Sequence, residues 1–386
     1  MIKLVSDTID KGDIKALVEW LSQDEIPRLT KGKLTIELEE KWAKKIGTKY
    51  SVFVNSGSSA ILLLLAALKE LKYGINNKIV VPAVSWATDL SSPMILGCEP
   101  IICDCNLEDL SCDLNHLEKI FKKEYPSTLL LVSPLGLVPD MEKIIKLCNY
   151  YDVRLIEDVC ESMGSKYKNR YLGSFGIASV FSTYFGHHIS TIEGGFINTN
   201  DQELYYRLLM MRSHGWDRDL PEVYKKDLRK IFNVSEFKSM YTFYAPGMNL
   251  RSTDLQAFIG LRAIDKLDEF SKERNENFIY YNKLIEQNEL NIYQRKDEFI
   301  SSFAYPIVRK DIEIITKELI KNDIEIRPLI AGDISNNPFY SNKRGKTNLK
   351  NATLIDRYGF YLPNHQNLTY GQLNRIVNIL NKKINK

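Results

Sequence analysis

SVFVNSGSSAILLLLAALKEL, residues 51–71, holds a short apolar strand, a small-residue turn and an apolar helix in succession. The strand is Ser51–Val54, the turn runs through Asn55, Ser56, Gly57, Ser58 and Ser59, and the helix follows at once. That order is the repeating unit of a parallel sheet covered by helices. The same unit recurs on the C-terminal side. KIVVPA (78–83), PIICD (100–104), TLLLVS (128–133), VRLIED (153–158), ASVFST (178–183) and GGFINT (194–199) read as strands, and helical stretches such as MEKIIKLCNYY (141–151) lie between them. Runs this apolar fit strands buried on both faces. The chain is therefore expected to be α/β, a mainly parallel sheet with helices on both faces. After Pro246 the texture changes to a long helical pattern from about Thr253 to Gln287, followed by a smaller set of strands and helices. We expect a large domain over residues 1–250 and a smaller C-terminal α+β domain over residues 251–386.

Composition narrows the class. The chain has 386 residues, with 52 Lys+Arg against 49 Asp+Glu and a formal net charge of +3. A near-neutral balance argues against a protein built to coat nucleic acid or an anionic membrane. The longest apolar run, Ala60–Leu68, is too short to span a bilayer. The N-terminus lacks the apolar region of a signal peptide. Six cysteines in a chain of this length make no disulfide framework. A cytoplasmic location is the expectation. Cys98, Cys103, Cys105 and Cys112 lie close together, but they form no CxxC, and IICDC reads as a buried strand, so we expect core cysteines and no metal site.

In open parallel sheets, ligands bind beyond the carboxyl ends of the strands. Residues 56–59 there are either a phosphate cradle at a helix N-terminus or an ordinary Ser-capped helix. Trp86 either covers a flat ring or packs in the core. Asp158, flanked by Glu157 and Glu161, either pairs with a cationic group or caps a helix. In SVFSTYFGHHISTIEGGFINTND, two adjacent histidines sit between strands. Adjacent side chains diverge, so one imidazole can face a pocket while the other faces elsewhere. Imidazole is a natural proton carrier near neutral pH. His116 falls in a surface helix and has no assigned role.

In combination, SGSSA, VPAVSW, EDVCESMG, FSTYFGHH…EGG, MRSHGWDRD and APGMNLRSTDLQAFIG resemble the sugar aminotransferase family, fold-type I pyridoxal-phosphate enzymes that act on nucleotide-linked 4-keto sugars. The likeness runs from Thr30–Gly47 to Asn364–Gln366. It implies that Gly57, Ser58 and Ser182 hold the cofactor phosphate, Trp86 stacks on the pyridine ring, Asp158 pairs with its nitrogen and Glu161 lies nearby. It also implies that His214, Arg218 and Arg251 face the substrate. Asn249 would reach a neighbouring subunit's cofactor phosphate, which makes a homodimer with shared sites. His365, in the Asn364–Gln366 stretch, would approach the site.

One departure sets the expected chemistry. The family's Schiff-base lysine precedes a terminal Gly-Gly. Here His187 stands at that position before Gly194-Gly195, and no lysine occurs between Lys168 and Lys225. The pattern is similar to 3-dehydratases of deoxysugar pathways, closest to those acting on a GDP-linked 4-keto-6-deoxyhexose on the way to colitose-type sugars of surface polysaccharide. An imidazole cannot form the covalent link to an aldehyde cofactor. The resemblance therefore implies pyridoxal or pyridoxamine phosphate bound non-covalently, with His187 as acid and base and L-glutamate regenerating the amine. A related CDP-linked subgroup carries an iron–sulfur cluster on cysteines downstream of the histidine. This chain has no cysteine after Cys160, so no cluster is expected. Two other readings stay open: an aminotransferase that uses a different lysine, and a catalytically inactive protein that binds sugar nucleotides.

Overall fold

The computed structural model describes residues 1–73, 76–345 and 347–382. The strands expected from the sequence assemble into one seven-stranded sheet. In chain order they are β1 (Tyr50–Val54), β2 (Lys78–Pro82), β3 (Glu99–Cys103), β4 (Thr128–Val132), β5 (Arg154–Asp158), β6 (Ala178–Ser182) and β7 (Gly195–Thr199). Across the sheet the order is β1-β7-β6-β5-β4-β2-β3. Only β7 runs against the others, antiparallel to both β1 and β6. Every residue of β4, β6 and β7 is buried, as a sheet covered on both faces requires. The fold is thus the expected mixed α/β layer structure.

The helix Lys33–Ile46 shows how one face is closed. Its Trp42 is fully buried, packs edge-on against Phe181 of β6 and stacks on Phe196 of β7. Phe53 of β1 stacks on the other side of Phe196. Glu39 of the same helix accepts the Phe53 N–H at 2.7 Å and pairs with the fully buried Arg212. Arg212 also donates to the Phe53 carbonyl at 2.9 Å and to Asp219 at 3.2 Å. MRSHGWDRD is thereby tied to β1 through a buried ion pair.

The long helical pattern forms a helix at Asp254–Leu284, capped by a reciprocal Thr253–Gln256 pair. It crosses the Lys33–Ile46 helix at Gly260, where a Cβ would come within 2.9 Å of Leu38. Beyond it lies a three-stranded antiparallel sheet of β8 (Ala304–Val308), β9 (Arg327–Pro328) and β10 (Gly359–Pro363), with β10 in the middle. Cys103 lies on β3, and the backbones of Cys105 and Cys112, both free thiols, pair in an isolated antiparallel bridge. All three are buried core residues, and burial raises the thiols of Cys103 and Cys105. His116 accepts the Asp104 N–H at 2.9 Å and serves the turn after β3.

Candidate active site

The carboxyl ends of β1, β2, β4, β5 and β6 share one edge of the sheet, and a cleft of about 1240 Å³ opens there. One end of it is the helix Gly57–Glu70. Ser56 caps that helix by accepting the Ser59 N–H at 3.0 Å, which leaves the N–H groups of the first turn aimed outward. The turn is tight on both sides. A Cβ at Gly57 would meet the Ser182 Cβ at 2.8 Å and the Cys160 Sγ at 3.1 Å. A Cβ at Gly195 would meet the Ser56 and Gly57 backbone at 2.5–2.6 Å. The Gly-Gly of the EGG stretch is there so that β7 can pass directly beneath this helix start. With the hydroxyls of Ser58 and Ser182 at its rim, the turn offers an anion cradle.

The floor is acidic. Asp158 ends β5, is 4 % exposed and accepts the Cys160 N–H at 2.9 Å. Asp89, fully buried, takes the Trp86 N–H at 3.0 Å on one oxygen. Its other oxygen has no donor and faces Asp158. Burial, and then the Asp158 charge, push the Asp89 carboxyl well above the usual range. A proton held there turns Asp89 into a donor toward Asp158. Glu161 accepts the Leu135 N–H at 2.9 Å, and burial raises its carboxyl to about 7. Glu157 points the other way. It receives the N–H groups of Gly173, Phe175 and Gly176, so its role is structural.

The two histidines separate. His187 lines the cleft, its ring 5.5 Å from that of Phe303, and its Nδ1 is buried without a partner. Burial, with the Arg274 charge behind it, lowers its imidazole to about 4. His188 turns inward, is fully buried and sets Nε2 2.8 Å from the Ser301 carbonyl. Trp86 stands at the rim, 55 % exposed, and His365 also lines the cleft.

The structure therefore brings together Gly57, Ser58, Trp86, Asp158, Glu161, Ser182, His187 and His365. His214, Arg218, Asn249 and Arg251 lie outside this cleft. His214, Arg218 and Arg251 were expected to face the substrate, with Asn249 reaching a neighbouring subunit's cofactor, and a single chain does not bring them to its own cleft. Arg218 stacks over the Trp216 ring at 3.7 Å and donates to the Met240 carbonyl. Asn249 bridges to Ser213, and its side chain accepts from Arg251 Nε at 2.9 Å. Sequence reasoning missed Asp89, Ser85 and the N-terminal stretch Met1–Asp7, which line the cleft with the exception of Ile2. Asp89 had a signal, since an acid three residues after Trp86 is a helix-capping pattern. The Met1–Asp7 stretch had none, because its place depends on Ile2 bridging to Ile324 across the fold.

These groups fit a phosphorylated aromatic cofactor. The glycine-walled helix start suits a phosphate, the Asp158–Asp89 pair suits a cationic ring nitrogen, and the buried Nδ1 of His187 and Oγ of Ser85 are polar atoms still without partners. Among the described residues, no helix is long and apolar enough to cross a membrane, and no three His, Cys, Asp or Glu side chains are grouped to hold a metal ion.

The profile of the DegT/DnrJ/EryC1/StrS aminotransferase family matches residues 7–381. A GDP-4-keto-6-deoxy-D-mannose 3-dehydratase of Escherichia coli O55:H7 is 32% identical over 389 residues, covering 98% of this chain and 98% of that one. A crystal structure of GDP-4-keto-6-deoxymannose-3-dehydratase with a trapped PLP-glutamate geminal diamine superposes with a TM-score of 0.89 at 30% identity, over 98% of this chain and 100% of that chain. The E. coli enzyme with bound hydrated PLP gives 0.89 at 31% identity, over 98% and 99%.

Proposed function

Since the chain belongs to the DegT/DnrJ/EryC1/StrS aminotransferase family, we propose that it is a pyridoxal-phosphate-dependent 3-dehydratase that removes the C3 hydroxyl of a GDP-linked 4-keto-6-deoxyhexose. The observation that carries this reading is His187, an imidazole lining the cleft at the family's lysine position. Among the described residues that line the cleft, the one lysine is Lys3, an exposed residue of the N-terminal stretch. An imidazole leaves the cofactor untethered. A relative with bound hydrated PLP, and another with PLP joined to glutamate, support non-covalent binding and glutamate as the amino donor.

In this proposal Gly57, Ser58 and Ser182 hold the cofactor phosphate, and Trp86 covers the ring from the rim. Asp158 pairs with the ring nitrogen, and Asp89 stands behind it with a carboxyl that burial and the Asp158 charge push well above the usual range. When bound, pyridoxamine phosphate supplies the amine that engages the sugar ketone and a ring that accepts electrons as the C3 oxygen leaves. His187, uncharged at neutral pH, removes a proton at the reacting carbon and then delivers it to the departing hydroxyl. His188 cannot share this work, because its ring is sealed against Ser301.

The same proposal assigns residues 1–250 to a cofactor-binding domain and 251–386 to the smaller domain. His214, Arg218, Asn249 and Arg251 then act across a homodimer interface, reaching the second copy's site. Six free cysteines fit a reducing, cytoplasmic compartment. Colitose-type surface polysaccharide of the O-antigen kind is the proposed destination of the product.

The test is a product spectrum from GDP-4-keto-6-deoxymannose, pyridoxal phosphate and glutamate. New methylene protons at C3 together with released ammonia support the proposal. A 4-amino sugar would make the protein an aminotransferase, and binding without turnover would make it an inactive sugar-nucleotide binder.

A further inference from the structure

Arg274 lies in the middle of the long helix and is 1 % exposed. Its guanidinium donates to the carbonyls of Ser302 at 3.4 Å, Phe303 at 3.0 Å and Asn364 at 2.6 Å, and to Gln366 Oε1 at 3.3 Å. Each of these partners is neutral. A buried cation whose hydrogen-bond partners are all neutral is costly, and no contacting carboxylate cancels its field on whatever lies beside it. What lies beside it is the histidine pair. Ser301 takes the His188 ring, Phe303 packs against both imidazoles, and His365 follows Asn364.

We propose that Arg274 is a positioning residue for the reaction: it ties the 301–303 and 364–366 loops into the wall behind His187 and fixes a positive charge at the back of that imidazole. This rests on the reading of His187 as the proton-transfer group. The consequence is twofold. A fixed cation disfavours a second positive charge, so His187 waits as a base. When it does take a proton, the same field drives that proton outward to the departing hydroxyl.

The groups facing His187 come from several elements. Cys160, Tyr184, His188 and Arg274 act on or pack against its ring, and Asp158 and Glu161 from the end of β5, Glu193 from its own segment, and Tyr361 and His365 from the C-terminal sheet and its exit line the same cleft. Burial and Arg274 lower His187 to about 4, and they lower His365 to about 4 in the same way. Arg274 itself falls to about 10 through burial, although Glu273 beside it partly compensates.

The test follows the imidazole rather than turnover. The full chain has five histidines, so selective carbon-13 labelling of histidine gives a spectrum that a His187→Asn variant assigns. Arg274→Gln removes the charge. Gln366→Glu keeps the arginine but places a carboxylate on its guanidinium. It is expected to fold, since it replaces an amide whose Nε2 is buried without a partner. Both variants should raise the His187 titration midpoint by about one pH unit or more, and Arg274→Lys should restore it. If folded Gln366→Glu protein, with an unchanged circular dichroism spectrum, titrates His187 at the original midpoint, the proposal is wrong. Because no sugar is present, that outcome stands apart from failure of the dehydratase reading, which the product spectrum decides.

Discussion

Asp89 and Asp158 face each other, both buried, at the floor of the cleft, and burial followed by the Asp158 charge pushes the Asp89 carboxyl well above its usual range. Two acceptors cannot bond to each other, so the contact requires a proton, and burial places it on Asp89. An amide donates in the same place. Asp89→Asn is therefore expected to keep cofactor affinity within a few-fold. Asp89→Ala removes the group facing Asp158, leaves the Trp86 N–H without its acceptor and should cost about 1–3 kcal/mol of stability. Urea unfolding and a cofactor titration check both. Equal loss in the two variants would contradict a protonated Asp89.

His187 and His188 should separate on mutation. His187→Asn is expected to abolish loss of the C3 oxygen while leaving the fold intact, because its Nδ1 bonds to nothing that holds the structure. His187→Lys should gain a cofactor link that borohydride traps, read as added mass on the intact chain. His188→Ala breaks the bond to Ser301 and should lower stability by about 1–3 kcal/mol. If His188→Ala alone abolished turnover in stable protein, the roles would be reversed.

Glu161 gives a pH signature. Its carboxyl moves from an ordinary 4.5 to about 7 through burial. The folded chain then holds a proton that the unfolded chain has released. The associated stability is present below about 4.5 and is lost as pH rises through about 7. In cofactor-free protein this amounts to at most about 3 kcal/mol. Glu161→Gln should flatten that fall, so urea midpoints measured on either side of the window converge. An unchanged slope would show that Glu161 is ionised throughout.

Gly57 tests the cradle. A methyl group there runs into Ser182 Cβ and Cys160 Sγ, so the helix start must shift away from β6. Gly57→Ala should weaken cofactor binding at least tenfold while leaving overall helix content unchanged. Fluorescence titration with pyridoxal phosphate measures it, and wild-type affinity would remove Gly57 from the phosphate site.

Arg212 tests the tie between MRSHGWDRD and the sheet. Arg212→Met strands the Glu39 carboxylate beside Phe53 and should cost about 3–5 kcal/mol. Arg212→Met combined with Glu39→Gln should recover part of that loss, which a double-mutant cycle in urea quantifies.

Strand order along the chain, the helix start at Gly57 and the acid closing β5 were legible because each is a local pattern. Apolar runs, small-residue turns and caps act over a few residues. The lysine-to-histidine exchange was legible for the same reason, as spacing within one segment. Asp89 was not, because its importance comes from Asp158, which lies far along the chain at the end of β5. His214, Arg218, Asn249 and Arg251, assigned by resemblance to a site shared between subunits, lie outside the cleft of the single chain.

The amino-acid sequence by itself determined an α/β sheet, its site-bearing edge and the absence of a lysine before Gly194-Gly195. Spacing set His187 at the lysine position, and only the tertiary structure showed His188 turned inward onto the Ser301 carbonyl. It also decided that burial raises the carboxyls of Glu161 and Asp89, and that the charge of an arginine from a distant helix acts on His187. Periodicity reports which way a side chain leaves its own element. Protonation and orientation are set by what other elements bring within a few ångströms, and that is known only once the chain has folded.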